Sequence, residues 1–249
     1  MKDTESVKQA RESFNRIIDN KTYANIIRDD KHLAAIMNLL EEDEYGNILD
    51  IGTGTGYLAF PLAAKYTAST IYGIDIADAI IAKNQEAVKE KGITNLHFKA
   101  FDGLTYPFEE ENIDLIVSRY AFHHFPNVAD AIGQMNRILA KGGKVLISDP
   151  MRDTCDVNGI IDEYMSVKKD GHIQFYSAKE LDELFLQNGF RKEKQLITNM
   201  RFPFPSKQEY VELFEKTDAG EKELYGITNE NGIVWIQHID VGNTVYVKV

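Results

Sequence analysis

The chain has 249 residues, 43% of them hydrophobic, with 39 acidic against 28 basic side chains and a net charge of −11. That length suits one large α/β domain or two small ones, and the apolar fraction is ample for a core. The acidic balance repels nucleic acid on average, and no Lys/Arg run is interleaved with aromatics, so a nucleic-acid partner is not expected.

No run of about 18 apolar residues exists, so no membrane span is expected. The start, Met1-Lys-Asp-Thr-Glu-Ser6, is polar and lacks the apolar stretch of a secretory signal. Cys155 is the single cysteine, which rules out an internal disulfide and a multi-thiolate metal site. A cytoplasmic location is expected, as monomer or homodimer.

The first helix is predicted over about Thr4 to Asp19, with Val7, Ala10, Phe14, Ile17 and Ile18 on one face. A second is predicted to begin near Asp30 as its N-cap, and it carries Leu33, Ile36, Met37 and Leu40 at helical spacing. Strand one is Asn47–Ile51, followed by a helix from about Tyr57 to Tyr66 with Pro61 in or near its first turns. Strand two is Thr70–Ile76, and its helix runs from about Asp78 to just before Gly92. Strand three is Leu96–Phe101. Strand four, Ile113–Arg119, is a continuous apolar run of the buried parallel type. The helix Val128–Ala140 turns Val128, Ile132, Met135 and Leu139 inward, and Lys141-Gly-Gly143 leads into strand five, Lys144–Ser148.

After Asp149 the pattern changes. A helix is expected near Val157–Lys169, then a capping box, Ser177-Ala-Lys-Glu180, opens a helix that stops at Gly189. A sixth strand follows at about Arg191–Thr198. Ser206-Lys-Gln-Glu209 reads as a second capping box. The chain closes with two β runs, Ile233–Ile239 and Thr244–Val249, with Val241-Gly-Asn243 as a hairpin turn. The alternation through the middle predicts a parallel sheet with helices on both faces.

The most informative stretch is Ile48-Leu-Asp-Ile-Gly-Thr-Gly-Thr-Gly-Tyr-Leu-Ala59. Glycine permits positive φ and leaves no Cβ in the way, and the free N–H groups of the following helix favour a polar or anionic ligand. A dinucleotide turn needs G-x-G-x-x-G, but Tyr57 occupies its third position. A P-loop needs a Lys after its last Gly, and none follows Gly56. Asp75 ends strand two at the carboxyl edge of the sheet, where ligands bind. It suits both hydroxyls of a ribose, or the cap of the next helix, which Asp78 can also fill. Asp102-Gly103 ends strand three and by itself is a turn signal.

The pattern D-x-G-x-G-x-G resembles the first motif of class I S-adenosylmethionine methyltransferases. The resemblance implies a single Rossmann-like domain over 1–249, with a seven-stranded, mostly parallel sheet and an antiparallel last strand. Residues 1–45 would be helical cover, 47–149 the cofactor core and 150–249 the substrate side. It implies that Gly52, Gly54 and Gly56 let the backbone approach the methionine part of the cofactor, with Asp50 near its amino group. It likewise implies Asp75 on the ribose and Asp102 with the N–H after it on the adenine, and it adds Thr53, Ile76, Gly103 and Ser118 to the cofactor set. Asn112–Lys144 is similar to the small-molecule enzymes of the ubiquinone and menaquinone group, and Phe14-Asn-Arg-Ile-Ile…Tyr23 loosely resembles the helix that covers their cofactor. The similarity fades after residue 150, so a quinone acceptor does not carry over.

Ser118-Arg-Tyr-Ala-Phe-His-His-Phe125 closes strand four at the ligand edge. His123 and His124 are candidate bases for a phenol, amine or carbon acid, or they pack under the cofactor. Arg119 orients an anionic substrate or pairs with a nearby carboxylate. Tyr23, Tyr120, His172 and Tyr176 are further substrate candidates, and Tyr164, Phe175, Phe202, Phe204 and Trp235 are candidates for the pocket wall. No metal is expected. The reading is methyl transfer from S-adenosylmethionine, released as S-adenosylhomocysteine, to a small organic molecule. An RNA or protein acceptor, or a binding module without transfer, are the alternatives.

Overall fold

A computed structural model describes residues 2–17, 29–40, 44–204 and 206–249. One sheet in the order β3-β2-β1-β4-β5-β8-β6 organises the chain. Its parallel part is β1 (Asn47–Ile51), β2 (Thr70–Asp75), β3 (Leu96–Ala100), β4 (Ile113–Arg119) and β5 (Leu139–Pro150). Strand β6 (Phe190–Pro203) forms the edge, and β8 (Ile233–Lys248) runs antiparallel to both β5 and β6.

Helices cover both faces because the strands are apolar on both sides. On one face α2 (Asp30–Leu39), α3 (Ala59–Lys65) and α4 (Asp78–Lys91) pack Ile36, Leu62 and Ile81 onto Ile48, Ile71 and Leu115. On the other, α5 (Val128–Ile138) and α7 (Ala178–Gln187) pack Ile132, Met135 and Phe185 onto Leu49, Ile116 and Val145. A third apolar cluster joins α6 (Ile160–Ser166), α8 (Gln208–Lys216) and α9 (Ala219–Tyr225) to the first half of β8 through Tyr164, Tyr210 and Ile236. Lys2–Ile17 form α1, described below.

Caps set several of these boundaries. Ser177 and Glu180 form the expected box, in which each satisfies the other's backbone N–H; such caps contribute about 1 kcal/mol. The cap of α2 is Asp29, whose carboxylate accepts from the N–H of Lys31 and His32; Asp30 is the first helical residue. No box forms at Ser206, because α8 starts later, with Lys207 in the cap position and no side-chain cap bond. A reciprocal box sits instead at Asp218 and Glu221, opening α9.

The predicted hairpin at Val241-Gly-Asn243 is absent. Strand β8 passes straight through, pairing with β5 from Val241 to Val247 and with β6 on its other side. Gly242 accommodates the Met151 side chain rather than a turn, since a Cβ there would lie 2.6 Å from its sulfur. The hairpin lies earlier, where β7 (Thr228–Glu230) pairs with the start of β8, so among the described residues the sheet has eight strands rather than seven. Among the described residues no helix is long and apolar enough to cross a membrane.

Candidate functional site

Among the described residues, the carboxyl ends of β1, β2, β3 and β4 open into the main pocket, roofed by Val7, Ala10 and Phe14 of α1. The apolar face of α1 is therefore a lid over the sheet edge. Arg11 fastens it there, donating from Nε to the Ile76 carbonyl at 3.0 Å and from its guanidinium to the Phe101 carbonyl at 3.4 Å.

The three motif glycines do different work. All have positive φ, at 68° for Gly52, 50° for Gly54 and 78° for Gly56. A Cβ on Gly52 would lie 2.4 Å from the Ala121 Cβ, and one on Gly56 would lie 2.6 Å from the Phe60 ring. Those two glycines make room for the protein itself. A Cβ on Gly54 would meet nothing within 4 Å, so this glycine faces the opening. Gly56 is accordingly not on the pocket wall, whereas Gly52, Thr53 and Gly54 are.

Local bonds hold this turn. The N–H groups of Gly52 and Thr53 donate to the Ile74 carbonyl at 2.9 and 3.0 Å. Asp75 accepts from the Gly54 N–H on one oxygen and from the Ala77 N–H on the other, both at 2.9 Å. It thus steadies the start of α4 and the glycine turn together while lining the pocket. Asn84 of α4 donates to the Gly54 carbonyl at 2.7 Å. Asp50 accepts from the Thr53 hydroxyl at 2.6 Å. Burial pushes the Asp50 carboxyl up to about 7, against the lowering effect of that hydrogen bond. Burial raises Asp75 as well, opposed by its backbone N–H donors.

Other sequence candidates separate. Ile76 and Gly103 line the pocket. Asp102 is exposed and accepts from the N–H groups of Leu104 and Thr105 at 2.8 and 2.7 Å, so its carboxylate serves its own turn. Ser118 is buried and donates to the Ile51 carbonyl at 2.9 Å, tying β4 to β1 from behind the wall. Tyr23 lies outside the described residues. Tyr164, Phe175 and Phe204 belong to the third apolar cluster, Phe202 packs against it, and Arg201 stacks on Trp235; none of these five lines the main pocket. Tyr176 lines a smaller void beside Asp149.

At the far side, Arg119, Tyr120 and His124 line the pocket. Tyr120 holds φ at 53°, a costly conformation for a bulky residue of the kind that collects at functional sites. The two adjacent histidines do not share one role. His123 is buried behind the wall, with Nδ1 2.8 Å from the Asp149 carboxylate, while His124 reaches the pocket. His172 joins them, its ring centroid 5.3 Å from that of His123 and 6.2 Å from that of His124, with Nε2 2.7 Å from Asp162. Burial lowers His124 to about 3 and raises Asp149 to about 7. Burial also lowers His123 well below the ordinary histidine value. Nδ1 of His124, Nδ1 of His172 and Oδ1 of Asp149 are buried without a hydrogen-bond partner. Among the described residues no three His, Cys, Asp or Glu side chains are placed to hold a metal ion.

Two participants escaped the sequence reading. His32 on α2 is buried, with Nδ1 3.2 Å from the Tyr120 hydroxyl and Nε2 2.8 Å from Asn243 Oδ1. A lone histidine on an apolar helix face offers no signal of this. Asn243, read as a turn residue, is fully buried in β8 and also accepts from the Ser148 hydroxyl at 2.8 Å.

Comparisons with known proteins agree with this architecture. Residues 24–195, more than half of the chain, match the family described as "Methyltransferase domain". The chain is 28% identical over 145 residues to the uncharacterized methyltransferase YcgJ of Bacillus subtilis strain 168, covering 57% of this chain and 55% of that protein. The crystal structure of YcgJ superposes with a TM-score of 0.76 at 21% identity, covering 88% of this chain and 98% of the other. A putative methyltransferase from Bacillus halodurans C-125 gives 0.78 at 21%, covering 88% and 99%. The demethylmenaquinone methyltransferase of Thermus thermophilus is 30% identical over 100 residues, covering 40% of this chain and 45% of that protein. The chain spans about half the length of the curated relatives it matches. With residues 24–195 matched, the chain belongs to the methyltransferase domain family.

Proposed function

We propose that this chain binds S-adenosylmethionine at the carboxyl edge of β1 to β4 and transfers its methyl group to a small organic acceptor. The observation that carries the reading is the ledge made by Gly54, open on its ligand side, and Asp75, bonded to it from below. The residues present fit an S-adenosyl group. Asp75 has lone pairs left for two ribose hydroxyls after its two backbone bonds. Ile76, Phe101 and Gly103 offer an apolar slot for a flat base, and Asp50 lies beyond the glycine turn for an ammonium.

The cofactor, when bound, supplies a methyl group already activated by its sulfonium. The chain's part is to position the acceptor and exclude water. Positioning alone is worth roughly 7–11 kcal/mol of a barrier. The lid of α1, with Phe14 edge-on to His124 at 5.2 Å between ring centroids, dries the far wall. His124, kept neutral by burial, gives this wall an uncharged ring beside the bound acceptor. His123 and His172, each held by a carboxylate, brace it from behind.

Calorimetry with S-adenosylmethionine, S-adenosylhomocysteine and NADH on the wild type and Asp75→Ala tests the reading. Both S-adenosyl ligands should bind and NADH should not. Asp75→Ala should weaken S-adenosyl binding by about 100-fold, the scale of losing two bonds to a charged acceptor. Binding of NADH alone would sink the proposal. Release of S-adenosylhomocysteine across a panel of small acceptors, and none with RNA or protein, is the expected result for transfer.

A further inference from the structure

The sheet ends on two edges of unequal kind. At one, β3 is five residues long. At the other, β6 runs for 14 residues and, among the described residues, pairs only with β8. A long exposed edge presents unpaired backbone groups that another strand can take up.

The ladder decides which groups those are. The Met151 N–H donates to the Asp240 carbonyl at 2.8 Å, so Asp240 of β8 turns its backbone toward β5. Antiparallel ladders alternate, so Ile239, Val241, Asn243 and Val245 turn theirs toward β6. The Val249 N–H, which donates to the Gly189 carbonyl at 3.0 Å, keeps the same alternation. The residues opposite that set on β6 are Met200, Thr198, Leu196 and Lys194. Gln195, Ile197 and Asn199 therefore point their N–H and carbonyl groups outward.

The side chains at this point are open too. Leu196 is 38% and Ile197 44% exposed, on opposite faces of the strand. Ile197 stands opposite Gly242, which has no side chain to cover it. Irregularities between Lys192 and Lys194 and between Met200 and Phe202 bound the stretch. What lies between them is regular, with Ile197 at its middle.

A stretch centred on one residue suits a two-fold axis. Laid antiparallel on itself about Ile197, its outward groups at Gln195, Ile197 and Asn199 meet those at Asn199, Ile197 and Gln195 of a second copy. Isoleucine then lies against isoleucine and amide against amide, with Glu193 opposite Arg201. A centre at Leu196 would instead set Arg191 against Arg201. Lys192, Glu193 and Arg201 already pair with Asp182, Lys144 and Glu230, so these charges are balanced within each copy.

We propose that β6 is the interface of a homodimer, in which two copies pair their edges antiparallel about Ile197 and join their sheets into one. The self-matching register selects a second copy over a foreign strand. Pairing uses up the β6 edge on both copies, so the assembly closes at two. The contact is short, which sets a dissociation constant of about 1–100 μM.

Sedimentation velocity through that range should show a monomer–dimer equilibrium. Ile197→Lys sets like charges together at the axis and should weaken the dimer by about 30-fold or more. Its Tm should hold, because the position is exposed. In a Cys155→Ser background, Ile197→Cys should form a disulfide-linked dimer, since residues on the axis face each other at about 5.5 Å between Cα atoms. Gln195→Cys should not, because its two copies lie about 14 Å apart along the strands. A wild type that stays monomeric throughout would overturn the proposal and leave the edge to a foreign strand. A dimer untouched by Ile197→Lys, or equal linking at positions 195 and 197, would overturn it as well.

Discussion

The two walls of the pocket are built on different principles. The glycine wall, from Asp50 to Asp75, is made of neighbouring strands and satisfies its polar groups locally: Thr53 on Asp50, Gly54 on Asp75, Asn84 on the Gly54 carbonyl. The histidine wall presents only His124 to the pocket; behind it stand His123, Asp149 from β5, and Asp162 and His172 from the segment beyond, with three polar atoms of this group buried without partners. A wall complete in itself suits a ligand whose shape is constant. The layer behind the other wall carries unmet buried groups, which cost about 1–3 kcal/mol each.

The sharpest contrast between the walls should appear in acid. Burial holds the His124 proton affinity far below that of an exposed histidine, so the unfolded chain binds a proton that the folded chain refuses between pH 6.5 and about 3. Stability from this group is full above pH 6.5 and is lost as pH falls through that window, at about 1.4 kcal/mol per pH unit. His124→Gln should flatten the acid limb of a stability-against-pH curve measured by urea unfolding. An acid limb of unchanged slope would place the proton-linked instability elsewhere.

A smaller effect should divide the glycine wall itself. Gly52→Ala meets the Ala121 side chain at positive φ and should cost about 2–3 kcal/mol of stability, read as a lowered Tm. Gly54→Ala has space inside the protein and should cost only about 1 kcal/mol of stability, from its positive φ, yet it should weaken S-adenosylhomocysteine more than its effect on Tm suggests. Loss of ligand affinity in Gly52→Ala alone would reverse the assignment of which glycine faces the ligand.

The smallest effect concerns Asp50. Its carboxyl is raised to about 7 by burial, and an ammonium partner favours the ionised form. Affinity for S-adenosylhomocysteine should therefore rise by about tenfold between pH 6 and pH 8, and Asp50→Asn should abolish the rise. A flat wild-type profile would separate Asp50 from the ligand's amino group. The folding sign is the opposite one. A carboxyl raised in the fold withdraws stability as pH climbs from about 4 to 7, so ligand binding and folding should move apart over that range.

Strands β1 and β4 and helix α4 have the bounds read from sequence, because each is delimited by short-range chemistry: apolar runs, an acidic start, a glycine at C′. The glycine turn was legible for the same reason. The division of labour among its glycines was not, since Ala121 and Phe60 approach through tertiary packing. The errors cluster after residue 200. Val241-Gly-Asn243 has turn composition, but pairing with strands on both sides outweighs local preference and buries Asn243 completely.

By itself the sequence determined the alternating α/β order, the ligand edge and the acids at the strand ends, because each depends on residues a few positions apart. Only the tertiary structure decided that Gly54 is the open glycine, that His124 rather than His123 faces the pocket, and that His32 stands behind Tyr120. Those facts depend on which side chains meet across the sheet. His32 and Asn243 are 211 positions apart and bond at 2.8 Å, a contact that no local pattern encodes.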